Sequence, residues 1–270
     1  MIYIRKYSKW LLTSFLFPGF FSCGNTENKV VPADSTSQNI AHLEKEVSSY
    51  PDSPLIRLEL ADAYENAGKA EKAIDMYDSL LTVDSTNALW YNRKASLYLS
   101  IGDTASALST LRASLNAQPA QPDLLLEVGF IYADMKNDSA LGIASFMEKS
   151  PDPRMKTNAM YLRGLYYSNI GQIQKALAAY DECIIYDYTF IDAYLEKGIL
   201  LYNQKRYAEA LKIFEKARTV SNTNADAYFW TGKTYEAMDK KEEAIEFYKK
   251  TLGLDDKIAE AEDRLKNLEK

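Results

Sequence analysis

From residue 38 onward, small and aromatic apolar residues alternate with polar ones in a fixed rhythm. A tiny residue is followed three positions later by a large one at Ala61/Tyr64, Ala95/Tyr98, Gly129/Tyr132, Gly164/Tyr167, Gly198/Leu201 and Gly232/Tyr235. The tiny residues stand 34, 34, 35, 34 and 34 apart. A second series, twelve residues downstream in most copies, reads Ala73/Tyr77, Ala107/Leu111, Ala140/Ala144, Ala176/Tyr180, Ala210/Phe214 and Ala244/Tyr248. Pro51, Pro119 and the Asp84-Ser85-Thr86 cluster close three units with turn formers. A period of this length predicts small helical units that bury their apolar faces by stacking on one another.

These residues resemble the tetratricopeptide repeat (TPR) family, whose unit is a 34-residue helix–turn–helix with small, aromatic and turn residues at these offsets. The resemblance covers about residues 38–270. It implies an all-α fold, a right-handed superhelical solenoid of antiparallel helix pairs. Six repeats are expected within 54–254, with phases 54–87, 88–121, 122–156, 157–190, 191–224 and 225–258. Residues 38–53 read as an N-terminal capping helix and 255–270 as a charged C-terminal one, making about fourteen helices in all. The third repeat departs: its inter-helix turn Met135–Asp138 is short, Ala144 replaces the aromatic, and Gly142 weakens its second helix. Ser150-Pro151-Asp152-Pro153 is expected to lengthen the connection to the fourth repeat, making this the least stable joint.

In such folds the first helices line a concave surface where ligands lie. Carried over by repeat, the inward acids are Glu59, Asp62, Glu65, Asp123, Glu127, Asp134, Asp192, Glu196, Asp226 and Glu236, facing Arg93 and Lys233. Apolar equivalents gather toward the C-terminal half: Tyr161, Leu165, Leu195, Ile199, Tyr202, Phe229 and Trp230. The expected partner groove is therefore Tyr161, Leu165, Asp192, Glu196, Ile199, Tyr202, Phe229, Trp230 and Glu236, suited to basic or apolar segments. The Lys/Asn/Arg clamp by which some TPR proteins hold a peptide C-terminus is missing here. The competing reading is that these side chains solvate one face and pack beside their neighbours.

The first 22 residues have a different character. Arg5, Lys6 and Lys9 precede an apolar run, Trp10–Phe21, which at 12 residues is too short to span a bilayer. This is the layout of a secretory signal. It ends at Phe20-Phe21-Ser22-Cys23-Gly24, which resembles a bacterial lipobox, with Cys23 as the residue to be lipidated. Phe20 and Phe21 depart from the usual lipobox residues. A plain cleaved signal peptide, or a signal anchor with an incidental cysteine, is the competing reading. Residues 23–37 then form a polar tether with a reach of roughly 20 Å. Gly24 in place of Asp favours the outer membrane.

Charge and composition narrow the function. Beyond residue 22 there are 29 basic and 38 acidic side chains, a net of −9, which disfavours nucleic acid. One histidine, His42, and a single thiol besides Cys23, Cys183, leave no expected metal site. Gly232-Lys233-Thr234 resembles the tail of a phosphate loop, but Ala227 stands where glycine is required. No catalytic residues, cofactor or small-molecule substrate are expected. Triplets of Asp, Ser/Thr and a small or aliphatic residue start at Asp34, Asp78, Asp84, Asp103 and Asp138; they resemble an envelope O-glycosylation motif or, more simply, turn and cap chemistry. The resulting expectation is a lipid-anchored adaptor of the bacterial cell envelope, facing the periplasm or, alternatively, the cell surface, that binds protein or peptide partners and touches the membrane through its N-terminal lipid. A pilotin-type assembly lipoprotein for a secretion or pilus channel, and a docking regulator of a cell-wall or glycan enzyme, are the alternatives.

Overall fold

The computed structural model describes residues 33–118 and 122–270, so the expected signal segment and Cys23 lie outside the described residues. The described residues form fourteen α-helices and no strand. α1 (Ala33–Ser49) precedes six pairs: α2 (Pro54–Asn66) and α3 (Ala70–Val83), α4 (Ala88–Ser100) and α5 (Thr104–Ala117), α6 (Pro122–Asp134) and α7 (Ser139–Glu148). The later pairs are α8 (Pro153–Asn169) and α9 (Ile173–Tyr186), α10 (Ile191–Asn203) and α11 (Tyr207–Val220), α12 (Ala225–Ala237) and α13 (Lys241–Leu254). α14 (Ala259–Leu268) follows. The chain divides into two compact units after Leu124.

Helix boundaries follow from local chemistry. Ser53, Asp103 and Asn224 cap α2, α5 and α12 by accepting a backbone N–H three residues on. The turn inside every pair places one residue in the left-handed region: Gly68, Gly102 and Gly171, and also Lys136, Lys205 and Asp239. All six occupy the fifteenth position of their repeat.

In the first unit, consecutive helices pack from α1 to α5 around Ile40, Leu43, Leu60, Tyr64, Tyr77 and Leu80. In the second, α7 to α14 pack in the same sequential way around two core clusters, one with Leu162, Leu165, Tyr180 and Phe214 and the other with Phe229 and Tyr248. The reason for the tiny residues is explicit there. A Cβ on Gly164 would lie 2.3 Å from the Tyr180 ring, and one on Gly198 2.4 Å from Phe214. Glycine is what lets the aromatic of the second helix lie directly on the backbone of the first.

The third repeat differs from the expectation at its far end. Its second helix, α7, has 10 residues, whereas α9 and α11 have 14. The link to the fourth repeat is not a longer loop. Asp152 accepts the Arg154 N–H at 2.9 Å, Pro153 takes the first helical position, and α8 runs for 17 residues instead of the 13 of α10 and α12. The additional turn is anchored by buried Met155 and Thr157.

Three of the Asp-Ser/Thr triplets have local structural roles. Asp84 accepts both the amide and the hydroxyl of Thr86, Asp103 caps α5, and Asp78 pairs with Lys94. The same aspartate turn recurs outside the triplets at Asp187/Thr189 and Asp255/Lys257.

Candidate functional site

The first helices of repeats four to six, α8, α10 and α12, lie side by side in the second unit. Their shared face carries most of the residues expected in the groove, but the structure sorts those residues into two classes. Leu165 is fully buried, and Tyr161 and Phe229 are buried as well, so these three belong to the core. Tyr161 meets Phe130 edge-on at 5.8 Å and Phe190 at 5.2 Å, filling the space between helices. Leu195 is likewise buried.

Ile199, Tyr202 and Trp230 are half-buried, as are Asp192, Glu196 and Glu236. Tyr202 and Trp230 meet edge-to-face with centroids 5.5 Å apart. Trp230 in turn stacks on buried Phe214 at 6.3 Å and 17°, while Tyr202 touches Tyr207 at 5.4 Å. One side of this aromatic pair is thus held by the core, and the other reaches solvent. Burial raises the Tyr202 hydroxyl above its ordinary pKa, so it remains a neutral donor and acceptor at physiological pH.

Glu236 does not stand free to receive a basic segment. The Tyr248 hydroxyl donates to it at 2.5 Å and the Arg264 guanidinium at 3.0 Å. Arg264 also reaches Glu260 at 3.5 Å, which receives the Lys233 ammonium at 2.8 Å. Lys233 is buried, its ammonium 4.7 Å from the Trp230 ring centroid and 5.4 Å from that of Phe229, a cation–π arrangement. The acids and bases of this corner therefore neutralise one another across α12, α13 and α14.

The same triad recurs in the first unit. Tyr77 donates to Glu65 at 2.6 Å, and Arg93 reaches Glu65 at 3.3 Å and Asp62 at 2.8 Å. The spacing is identical, Glu to Tyr +12 and Glu to Arg +28, in residues 65/77/93 and 236/248/264. Tyr248 and Arg264 do not stand out in the sequence, where each by itself fits a packing position or a surface charge. The repeated spacing was the signal that could have found them. This face presents apolar and aromatic side chains with a rim of already paired charges.

Two sequence profiles described as Tetratricopeptide repeat match the chain, one at residues 40–88, 58–124 and 161–223 and the other at 201–268. Tetratricopeptide repeat protein 1 of Schizosaccharomyces pombe (strain 972 / ATCC 24843) is 26% identical over 211 residues, 69% of this chain; the chain spans only 19% of that protein. Among solved structures, a tetratricopeptide repeat protein from Parabacteroides merdae ATCC 43184 superposes with a TM-score of 0.63 at 22% identity, covering 88% of this chain and 93% of that one. Yeast Tom70 superposes with a TM-score of 0.60 at 14% identity, covering 87% of this chain and 58% of that one. At these identities the likeness concerns the fold. The profiles span more than half of the residues, and the chain belongs to the tetratricopeptide repeat family, whose members are generally non-catalytic scaffolds for protein–protein interaction.

Proposed function

We propose that this protein is a lipid-anchored adaptor of the bacterial cell envelope that binds a peptide segment of its partner across α8, α10 and α12. The observation that carries the binding part is the half-exposed Tyr202–Trp230 pair, fixed from behind by Phe214 and Tyr207. A rigid aromatic pair presents large apolar area at little entropic cost, which is how interface anchors act. Because Lys233, Arg264 and Glu236 are satisfied internally, selectivity rests on apolar fit more than on charge. Asp192 and Glu196 supply the acidic part of the face beside Ile199 and Tyr202.

The anchor rests on the sequence around Cys23. Its test is Cys23→Ser: the variant should leave the membrane fraction or remain unprocessed, and unchanged processing and fractionation would refute lipidation. The binding part is tested with a Tyr202→Ala/Trp230→Ala variant whose melting is measured first. Loss of partner capture with the transition retained supports the site, and wild-type capture refutes it.

A further inference from the structure

Six copies of one fold act as controls for one another. The turns α3–α4 and α9–α10 are built identically. In the first, Asp84 accepts the Thr86 amide at 3.0 Å and hydroxyl at 2.7 Å, and the Tyr91 hydroxyl donates to the Ser85 carbonyl at 3.2 Å. In the second, Asp187 accepts the Thr189 amide at 3.0 Å and hydroxyl at 2.6 Å, and the Tyr194 hydroxyl donates to the Tyr188 carbonyl at 3.1 Å. Backbone and flanking residues define this turn, and the middle side chain plays no part in it. That side chain is Ser85 in one case and Tyr188 in the other.

The comparison extends along the array. The position of Tyr188 holds Ser85, Pro119, Asn222 and Asp256 in the first, second, fifth and sixth repeats. The position of Ile185 holds Thr82, Asn116, Thr219 and Gly253, and that of Tyr186 holds Val83, Ala117, Val220 and Leu254. The fold therefore requires no large apolar group at the two outer positions. Yet Ile185, Tyr186 and Tyr188 are 84%, 45% and 72% exposed, within four residues of one another at the end of α9 and in the turn that follows. Exposing three such groups together on a free surface is disfavoured unless something covers them.

Charge says what would cover them. Residues 181–187 contain three carboxylates, Asp181, Glu182 and Asp187, and no basic residue. Lys197 and Arg163 reach in from neighbouring helices to Asp181 and Glu182. α9 has no basic residue in its last turn, so its carbonyl end adds to the negative field. Burial first, then Asp187 and Asp192, push the Cys183 thiol up to about 12. We propose that Ile185, Tyr186 and Tyr188 form a second docking surface, separate from Tyr202 and Trp230, for a protein segment combining apolar side chains with flanking Lys or Arg.

The test replaces the patch by the residues of the first repeat, Ile185→Thr, Tyr186→Val and Tyr188→Ser, which the same turn already tolerates. Melting is measured to verify the fold. The probe is a short fluorescent amphipathic peptide of Leu and Lys, with a Leu/Glu peptide as its counterpart, titrated by polarisation against the full chain. Binding of the Leu/Lys peptide should weaken about tenfold in the triple variant and stay unchanged in Lys216→Ala, an exposed position on α11 outside both proposed surfaces. The Leu/Glu peptide should bind about tenfold more weakly to the wild-type chain. Equal binding of the two peptides, wild-type affinity in the triple variant, or no saturable binding to the wild-type chain would overturn the proposal. So would loss, in the triple variant, of self-association measured by sedimentation or of binding to phosphatidylglycerol vesicles without loss of peptide binding.

Discussion

Gly198→Ala and Gly232→Ala are the same substitution at the same repeat position, and the packing behind them predicts opposite outcomes. A methyl on Gly198 would lie 2.4 Å from Phe214 Cε1 and 2.7 Å from Cζ. Carbon atoms rest about 3.5–4.0 Å apart, so the ring or helix α10 must shift by about 1 Å. Phe214 is fully buried, with Trp230 stacked on it at 6.3 Å, and has no open side to move into. Over-packing of this kind costs about 1–3 kcal/mol, against about 1 kcal/mol returned by replacing glycine in a helix. At Gly232 the nearest ring atoms of Tyr248 are 3.1 Å away, so a shift of a few tenths of an ångström suffices. Gly198→Ala should therefore destabilise by up to about 2 kcal/mol, while Gly232→Ala should be neutral or stabilise by up to about 1 kcal/mol. Urea unfolding with an unchanged slope, supported by melting, separates them, since about 1 kcal/mol moves the midpoint by about 2–4 °C at this size. Equal stability of the two variants, or a more stable Gly198→Ala, would refute the reasoning.

Other perturbations follow from the same geometry. Lys205 holds a left-handed φ of 60° at a position where Gly68, Gly102 and Gly171 sit, so Lys205→Gly should stabilise by up to about 1 kcal/mol in urea unfolding. Tyr248→Phe removes the hydroxyl that Glu236 accepts and should cost about 1–2 kcal/mol, an effect that Arg264→Met should reduce in a double-mutant cycle. Burial without a hydrogen-bond partner for Oε1 raises the Glu127 carboxyl to about 7 from an ordinary 4.5. Between those values the folded chain holds a proton that the unfolded chain releases, so stability falls as pH rises from about 4.5 to 7 and levels off above. Glu127→Gln should flatten that slope and add on the order of 2–3 kcal/mol at pH 8; parallel pH–stability curves for variant and wild type would contradict this.

The repeat was legible because its cause is local and recurrent. A glycine or alanine on one helix and an aromatic sixteen residues later, as in Gly164/Tyr180 and Gly198/Phe214, are two sides of one contact. The surface was less legible, because offset within a helix does not say which way a side chain finally turns. Phe229 goes into the core, while Trp230 beside it stays half-exposed. Glu236 read as a steering charge because its partners lie on two other helices, at +12 and +28. Ser150–Pro153 read as a longer loop, since proline breaks helices; behind the Asp152 cap it starts one instead.

The most direct test of the binding account places a photoreactive amino acid at Ile199, beside Tyr202 on α10, and at exposed Lys216 on α11 as a control, in cells that express the full chain. The account predicts a partner adduct from position 199, none from 216, and loss of the adduct from position 199 when Tyr202 and Trp230 are both alanine. Equal adducts from the two positions, or an adduct from 199 that survives the loss of both aromatics, would contradict it.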